Sequence, residues 1–174
     1  IAVSLSLGTA GVVVADEFDS FPQRPERSVA TLTLANVFSD GMMLQRDQDV
    51  RVWGWGKAGD EVVVNFAGQV AKVKINDKGS WQAQLKPMKA SFEDRMMKVT
   101  AGGKSLSVKD ILVGEVWLCG GQSNMERKMN SSRDADLELA SGDYPAIRFL
   151  RIPKVANTHP QADYQADENG GEGH

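Results

Sequence analysis

Between residues 50 and 108 six short segments mostly alternate apolar and polar positions, the period-two pattern of half-buried β-strands. The segments are residues 50–53, 61–66, 70–75, 80–85, 96–100 and 104–108. Glycine or proline lies between each pair of neighbours, as a turn requires. Short strands at this spacing predict an antiparallel β-sandwich-like domain over residues 29–108, with one face of each strand in the core.

After residue 108 the pattern changes. Residues 110–119 are rich in Val, Ile, Leu and Trp and predict a buried strand. Residues 132–142 begin with serine, carry acids in the first turn and end in glycine, which predicts a short helix, and residues 146–152 predict the next strand. Strand, turn, helix and strand predict the start of a βαβ unit in a parallel sheet, followed by a polar loop over residues 155–174.

Ser123 stands where the predicted strand gives way to the next helix. Gly120 and Gly121 permit a tight turn just before it, so its hydroxyl is exposed at a strand end. Backbone N–H groups at a helix start would also face an oxyanion that forms beside this serine. The arrangement suits a nucleophile for acyl transfer, but an N-cap serine gives the same local sequence.

Three neighbours of Ser123 are open to two interpretations each. Gln122 and Asn124 either orient the turn and reach substrate hydroxyls, or hold the loop by local hydrogen bonds. Cys119 is the only cysteine, and in an apolar strand we expect it to pack as a small hydrophobic residue. As a rival nucleophile it is poor, because no neighbouring histidine in sequence would lower its pKa.

Two separated motifs resemble one family of enzymes. The first is Val37-Phe-Ser-Asp-Gly-Met-Met-Leu-Gln-Arg46, followed by Val52-Trp-Gly-Trp-Gly56. The second is Val113-Gly-Glu-Val-Trp-Leu-Cys119, followed by Gly121-Gln-Ser-Asn-Met125. In this order they resemble the amino-terminal portion of the sialate O-acetylesterase family, which consists of SGNH-type serine hydrolases.

The resemblance implies a fold and a set of site residues. The fold is mixed, with the β-sandwich-like domain followed by the start of a truncated α/β/α SGNH-hydrolase domain over residues 109–174. Ser123 is implied to be the catalytic nucleophile and one oxyanion donor. Gly121, Gln122 and Asn124 are the candidates for support of the oxyanion or of the turn. The family's catalytic histidine and its acidic partner are implied to lie beyond residue 174.

The histidines of this chain do not supply the base that a serine nucleophile needs. His159 and His174 both lie in the polar carboxy-terminal stretch, outside any periodic element, and are interpreted as loop or surface residues. The carboxylates are scattered without metal-ligand spacing, so no metal site and no cofactor is predicted. The 174-residue chain begins with Ile1 and ends in a glycine-rich polar stretch, which predicts a fragment whose own activity is absent.

The amino terminus predicts export. Residues 1–15 are apolar and small, too short to span a bilayer, and resemble the remnant of a signal peptide. A buried strand is the alternative. Residues 16–28 are rich in proline and charge and predict a linker. We therefore expect a secreted or periplasmic protein without a membrane span in its mature chain.

Charge and aromatic residues narrow the classes of partner. The net charge is −3 and no basic patch is present, which gives no electrostatic case for nucleic acid. Removal of O-acetyl groups from sialic acid or a related glycan, with water as second substrate, is the function that the resemblance implies. The alternatives are an acetyl-xylan or other polysaccharide esterase, or a non-catalytic carbohydrate-binding β-sandwich. In that last case Trp53, Trp55 and Trp81 would stack on sugars, although tryptophans in strands more often fill the core.

Overall fold

The computed structural model describes residues 31–154 together with residues 156, 158, 161, 163 and 164. The expected signal-peptide remnant and linker lie outside the described residues, and so do His159 and His174. The predictions made for them stay predictions.

Eight β-strands and one short α-helix make up the regular structure of the described residues. The strands are β1 Thr33–Leu34, β2 Met43–Gln45, β3 Val50–Trp55, β4 Glu61–Phe66, β5 Gln69–Lys74, β6 Ser80–Leu85, β7 Ser91–Ala101 and β8 Lys104–Gly114. The helix α1 is Ala135–Ser141, preceded by two 3₁₀ turns, Ser123–Glu126 and Met129–Ser131. All six strands predicted between residues 50 and 108 are confirmed, whereas β1 and β2, of two and three residues, were not predicted.

The strands form two sheets. One has three strands in the order β1-β3-β6, and the other has five in the order β2-β8-β7-β4-β5. Every pair is antiparallel except β2 and β8, which run parallel with Leu44 opposite Val113 and Gln45 opposite Gly114. The β-rich, two-sheet part of the predicted fold is confirmed, with one parallel pair that the alternation of residues does not reveal.

A single apolar core lies between the sheets. Val52 of the three-stranded sheet and Val62 and Val64 of the five-stranded sheet are fully buried in the same cluster. Alternate residues of β4 therefore turn inward, as the period-two pattern predicts. Burial of this kind stabilises the fold by about 25 cal/mol for each Å² of apolar surface removed from water.

The three sandwich tryptophans belong to this core. Trp55 and Trp81 are buried, and the indole N–H of Trp81 donates to the backbone oxygen of Trp55 at 3.3 Å. Trp53 packs edge-on against the ring of Phe38, with ring centroids 4.8 Å apart. The core interpretation of these side chains is confirmed.

Gly54 permits the close approach of β1 to β3. A Cβ atom at this position would collide with the backbone oxygen of Thr33, and Cα of Leu34 would lie at 3.0 Å. Because these are backbone atoms, no side-chain rotation relieves the contact. The glycine between Trp53 and Trp55 is therefore a steric requirement of the three-stranded sheet.

The predicted strand at residues 110–119 is half wrong. β8 ends at Gly114, and the side chains of Val116, Trp117 and Leu118 are exposed. The pairing explains the end point, because β2 stops at Gln45 opposite Gly114 and β7 starts at Ser91 opposite Val113. Beyond Gly114 no described strand offers backbone partners, and an apolar sequence alone does not make a strand.

The predicted strand at residues 146–152 is also absent. Ile147 and Phe149 are exposed, and no described strand pairs with this stretch. The helix between the two predicted strands is confirmed as α1, although Asp134, in the left-handed region with φ of 54°, takes the N-cap position predicted for Ser132. The described residues thus contain the helix but not the parallel strands of the predicted βαβ unit.

The carboxy-terminal stretch returns to the sandwich at Asn36. The Tyr164 hydroxyl donates to the backbone oxygen of Asn36 at 2.9 Å, and the Asn36 side-chain amide donates to the backbone oxygen of Tyr164 at 2.6 Å. Burial raises the pKa of the Tyr164 phenol. These bonds connect residues that lie 128 positions apart in sequence.

Candidate active site

Ser123 is exposed at the first position of the 3₁₀ turn Ser123–Glu126. Gln122 is the N-cap residue, and its backbone oxygen accepts from the N–H of Met125 at 2.9 Å. The N–H groups of Ser123 and Asn124 come before Met125, the first N–H donor of the turn, so they have no partner within it. The site therefore combines an accessible hydroxyl with adjacent backbone donors.

The N-cap interpretation of Ser123 is wrong, because Gln122 holds that position. Gln122 makes no side-chain capping bond. In the part of the chain that the structure describes, the hydroxyl of Ser123 also makes no hydrogen bond. The Gln122 side chain is therefore not used for capping, and the Ser123 hydroxyl is accessible to solvent.

Gly121 has a steric role beside the turn. A Cβ atom on it would lie 2.9 Å from Cγ of Met125, whereas a Cβ atom on Gly120 would meet nothing within 4 Å. Neither glycine has a positive φ. A side chain at Gly121 would therefore require the exposed Met125 side chain to shift, and neither glycine is needed for a left-handed backbone.

Cys119 is a free, exposed thiol. The expectation that it packs as a small hydrophobic residue is wrong, since it depended on a strand that ends five residues earlier, at Gly114. Among the described residues no group of three His, Cys, Asp or Glu side chains is arranged to hold a metal ion.

A polar cluster attaches the chain to the sandwich where β8 ends. We call it the Glu115 cluster; it consists of Gln45, Arg46, Asp47, Lys89 and Glu115. Arg46 Nε donates to Glu115 Oε1 at 2.6 Å, and Gln45 Nε2 donates to Glu115 Oε2 at 3.1 Å. Arg46 Nη1 and Lys89 Nζ donate to the two carboxylate oxygens of Asp47, at 3.0 and 2.6 Å.

The Glu115 cluster also binds backbone. The Val116 N–H donates to Gln45 Oε1 at 2.8 Å, and the Arg46 N–H donates to the Gly114 backbone oxygen at 2.9 Å. Hydrogen bonds from Gln45 and then from Arg46 lower the pKa of the Glu115 carboxyl. The same contact with Glu115 raises the pKa of Arg46, and the bond from Lys89 lowers the pKa of Asp47.

Sequence reasoning did not find this cluster. Gln45 and Arg46 close the first motif of the resemblance, and Glu115 lies in the second, but some 70 residues separate them. Only the parallel pairing of β2 with β8 brings them together. The sequence shows both motifs, but it does not reveal that the end of the first contacts Glu115 in the second.

Charged contacts also surround the turn and the strand end. Lys154 pairs with Glu126 of the turn, and the Arg127 guanidinium donates to the backbone oxygen of Ser131. Arg148 Nη2 donates to Asp110 Oδ1 at 2.8 Å. Asp110 has a positive φ of 53° and lies where the register of β7 and β8 shifts. Arg148, which carried no predicted role, thus links residues 146–152 to the sandwich.

None of the described helices is long and apolar enough to cross a membrane.

The chain is similar to known acetylesterases. It is 34% identical over 146 residues to a protein named sialate O-acetylesterase from Rattus norvegicus, covering 78% of this chain and 26% of that protein. It is 32% identical over 133 residues to the human protein of the same name, covering 70% of this chain and 25% of that protein. No protein-family model matches the chain.

The chain is also similar to a solved acetylesterase structure. A carbohydrate acetylesterase from Xanthomonas citri superposes with a TM-score of 0.72 and 37% identity, over 75% of this chain and 30% of that one. The chain spans about a quarter of the length of the curated relatives it matches. These similarities confirm the resemblance seen in the sequence.

Proposed function

We propose that this relative of the sialate O-acetylesterases is the amino-terminal portion of a serine esterase that removes O-acetyl groups from sialic acid or a related glycan. The observation that carries the proposal is the similarity to proteins named sialate O-acetylesterase and to a carbohydrate acetylesterase of known structure. The exposed hydroxyl of Ser123, in the motif that resembles the family's nucleophile block, supplies the chemistry.

In this proposal Ser123 Oγ attacks the acetyl carbonyl and transfers its proton to a histidine supplied by later sequence. The tetrahedral intermediate collapses to an acetyl-serine, and the histidine returns the proton to the departing sugar oxygen. Water then adds to the acetyl-serine, which releases acetate and restores the hydroxyl. The cycle is balanced by substrate and water alone and requires no cofactor.

The neighbours of Ser123 have supporting roles in the proposal. The backbone N–H of Ser123 donates to the oxyanion, and Gly121 leaves room for the side chain of Met125, which belongs to the same turn. Gln122 and Asn124 carry amides that can orient the sugar, because neither side chain is used for capping in the described residues.

We also propose that residues 109–174 begin an SGNH-type α/β/α domain, after the β domain of residues 29–108. The exposed apolar residues after Gly114 support this, because large apolar surfaces of soluble proteins are normally covered. They are Val116, Trp117, Leu118, Met125, Met129, Leu137, Leu139, Tyr144, Ile147, Phe149, Leu150 and Ile152. Later sequence of the complete protein would cover these side chains.

Export remains part of the proposal. Residues 1–15 would be removed as a signal peptide, which leaves a mature start near Asp16 in a secreted or periplasmic enzyme. Amino-terminal sequencing of the native protein tests this, and a product that retains residues 1–15 would contradict it.

Activity of the full-length protein tests the chemistry. Ser123→Ala should lower the turnover of p-nitrophenyl acetate by on the order of a million-fold, because the members of a catalytic triad act as a unit. Cys119→Ala is the matched control, four residues away, and should retain most of the activity. Loss of activity in Cys119→Ala with an active Ser123→Ala would show that the nucleophile is misassigned.

A second candidate function differs only in the acetylated carbohydrate that serves as substrate. The relative from Xanthomonas citri is named only a carbohydrate acetylesterase, which leaves acetyl-xylan or another polysaccharide ester as a second candidate. Parallel kcat/KM measurements on O-acetylated sialic acid and acetylated xylan distinguish the two.

A further inference from the structure

Little attaches the stretch between β8 and Ser123 to the rest of the described chain. Residues 115–122 lie outside every strand and helix, and all are solvent-exposed. Their contacts with the sandwich include the bond from the Val116 N–H to Gln45 Oε1 and the two bonds accepted by Glu115. The Glu115 cluster therefore holds the first two residues of this stretch, and Ser123 follows seven residues later.

Stability is a poor explanation of these contacts. The side chains of Arg46 and Glu115 are 43% and 49% exposed. Ion pairs in such settings contribute little to the free energy of folding, because water and salt screen them. The hydrogen bonds instead fix the direction in which the chain leaves β8, because Gln45 accepts from the Val116 N–H and also donates to the Glu115 carboxylate.

The parallel pairing of β2 with β8 is what makes this attachment possible. Gln45 lies opposite Gly114 at the last position of both strands, so the next residue of each strand, Arg46 and Glu115, emerges at the same sheet edge. The Arg46 N–H continues the pairing by donating to the Gly114 oxygen. The pairing of β2 with β8 thus holds the Arg46 guanidinium next to the Glu115 carboxylate in a fixed orientation.

We infer that Gln45, Arg46 and Glu115 are positioning residues that fix the path from β8 to Ser123 and so place the nucleophile. This inference rests on the proposed esterase function. Displacing a reacting group by about 1 Å can cost on the order of a hundredfold in rate. Loss of the attachment is therefore expected to lower kcat, with little change in KM.

Cys119 offers a direct readout that requires no activity. It is the only cysteine of the chain, it is exposed, and it lies between Glu115 and Ser123. A nitroxide attached to it reports the motion of the stretch by electron paramagnetic resonance. In the 174-residue chain, Glu115→Ala and Gln45→Ala should both narrow the spectral lines, because each removes bonds that restrain residues 115 and 116.

The matched control is Glu61→Ala. Glu61 forms an exposed ion pair with Lys72 at 3.9 Å, on β4 and β5. Those strands lie at the edge of the five-stranded sheet opposite β2. The control removes a carboxylate of the same type and comparable exposure, so it should leave the line widths unchanged.

In the full-length protein, Glu115→Ala and Gln45→Ala should each lower kcat for p-nitrophenyl acetate about tenfold to a hundredfold, with KM within about twofold. Glu115→Gln should be intermediate, because its amide oxygen still accepts from Arg46 while its NH₂ group cannot accept from Gln45. If Glu115→Ala fails to fold, Gln45→Ala, which leaves the ion pair intact, gives the answer.

The inference is overturned if Glu115→Ala and Gln45→Ala lower kcat no more than Glu61→Ala does, or if they leave the spectrum of the label unchanged. Ser123→Ala separates this failure from a failure of the proposed function. An active Ser123→Ala protein overturns the function itself, whereas an inactive Ser123→Ala protein with fully active cluster variants overturns the positioning role alone.

Discussion

The sandwich and the stretch that carries Ser123 use their apolar residues in opposite ways. Every buried apolar side chain among the described residues lies between Leu32 and Val113. Every exposed large apolar side chain lies after Gly114, apart from Val70, Phe92 and Met96. The two regions are comparably apolar in sequence, so composition does not separate them. The difference shows that a similar apolar content forms a core in one region, where the two sheets pack together, and stays exposed in the other.

The same change, tryptophan to alanine, tests this comparison when it is made once in each region. It is expected to give the largest effect on stability. Trp81→Ala in the 174-residue chain should lower the free energy of unfolding by about 3–5 kcal/mol, because it opens a cavity in the core. Trp117→Ala should change it by less than about 0.5 kcal/mol, because the side chain is 82% exposed. Chemical denaturation monitored by circular dichroism measures both. Equal losses would show that the two regions share one core.

Two glycines give a smaller contrast. Gly54→Ala should destabilise the chain by about 1–3 kcal/mol, because its Cβ atom meets the backbone of β1. Gly120→Ala faces open space and should change the thermal midpoint little. A Gly54→Ala protein as stable as the wild type would mean that β1 does not pack against β3 as described.

Acid should release the Glu115 cluster, with the smallest effect on overall stability. The pKa values of Glu115 and Asp47 are lowered in the fold. Their contribution is therefore present above the ordinary carboxyl range and is lost as pH falls through the lowered values. Arg46 and Lys89 keep their positive charge throughout that range. The spectrum of a nitroxide at Cys119 should sharpen as the pH falls below the ordinary carboxyl range, where these two groups become protonated.

Glu115→Gln removes the titrating group and is the control for this experiment. Its spectrum should lose most of the acid transition, while circular dichroism at the same pH shows whether the sandwich is intact. A transition that persists unchanged in Glu115→Gln would assign it to another carboxyl group.

The sequence predicts most strands of the sandwich because the alternation of apolar and polar residues can be recognised within each segment alone. Residues 80–85 and 104–108 alternate clearly, and the structure gives strands at those positions. β1 and β2 were missed because two or three residues show no period. The strands predicted at 110–119 and 146–152 fail over the part that lacks a partner, since pairing is not a property of one segment.

The candidate site shows the same limit. The position of Ser123 at the start of a turn follows from the preceding glycines and from the family resemblance. Its attachment through Gln45, Arg46 and Glu115 does not follow, because the two motifs meet only through the parallel pairing of β2 with β8. Local patterns therefore identify the candidate nucleophile, whereas the contacts that orient it depend on the tertiary fold.

Covalent capture of the nucleophile tests the central claim most directly. The full-length protein is treated with a fluorophosphonate, which phosphonylates an activated serine, and the modified peptide is identified by mass spectrometry. We expect one adduct on Ser123, which forms as acetylesterase activity is lost, and no adduct in Ser123→Ala. Inactivation with the adduct on a different residue, or full activity after Ser123 is modified, would contradict it.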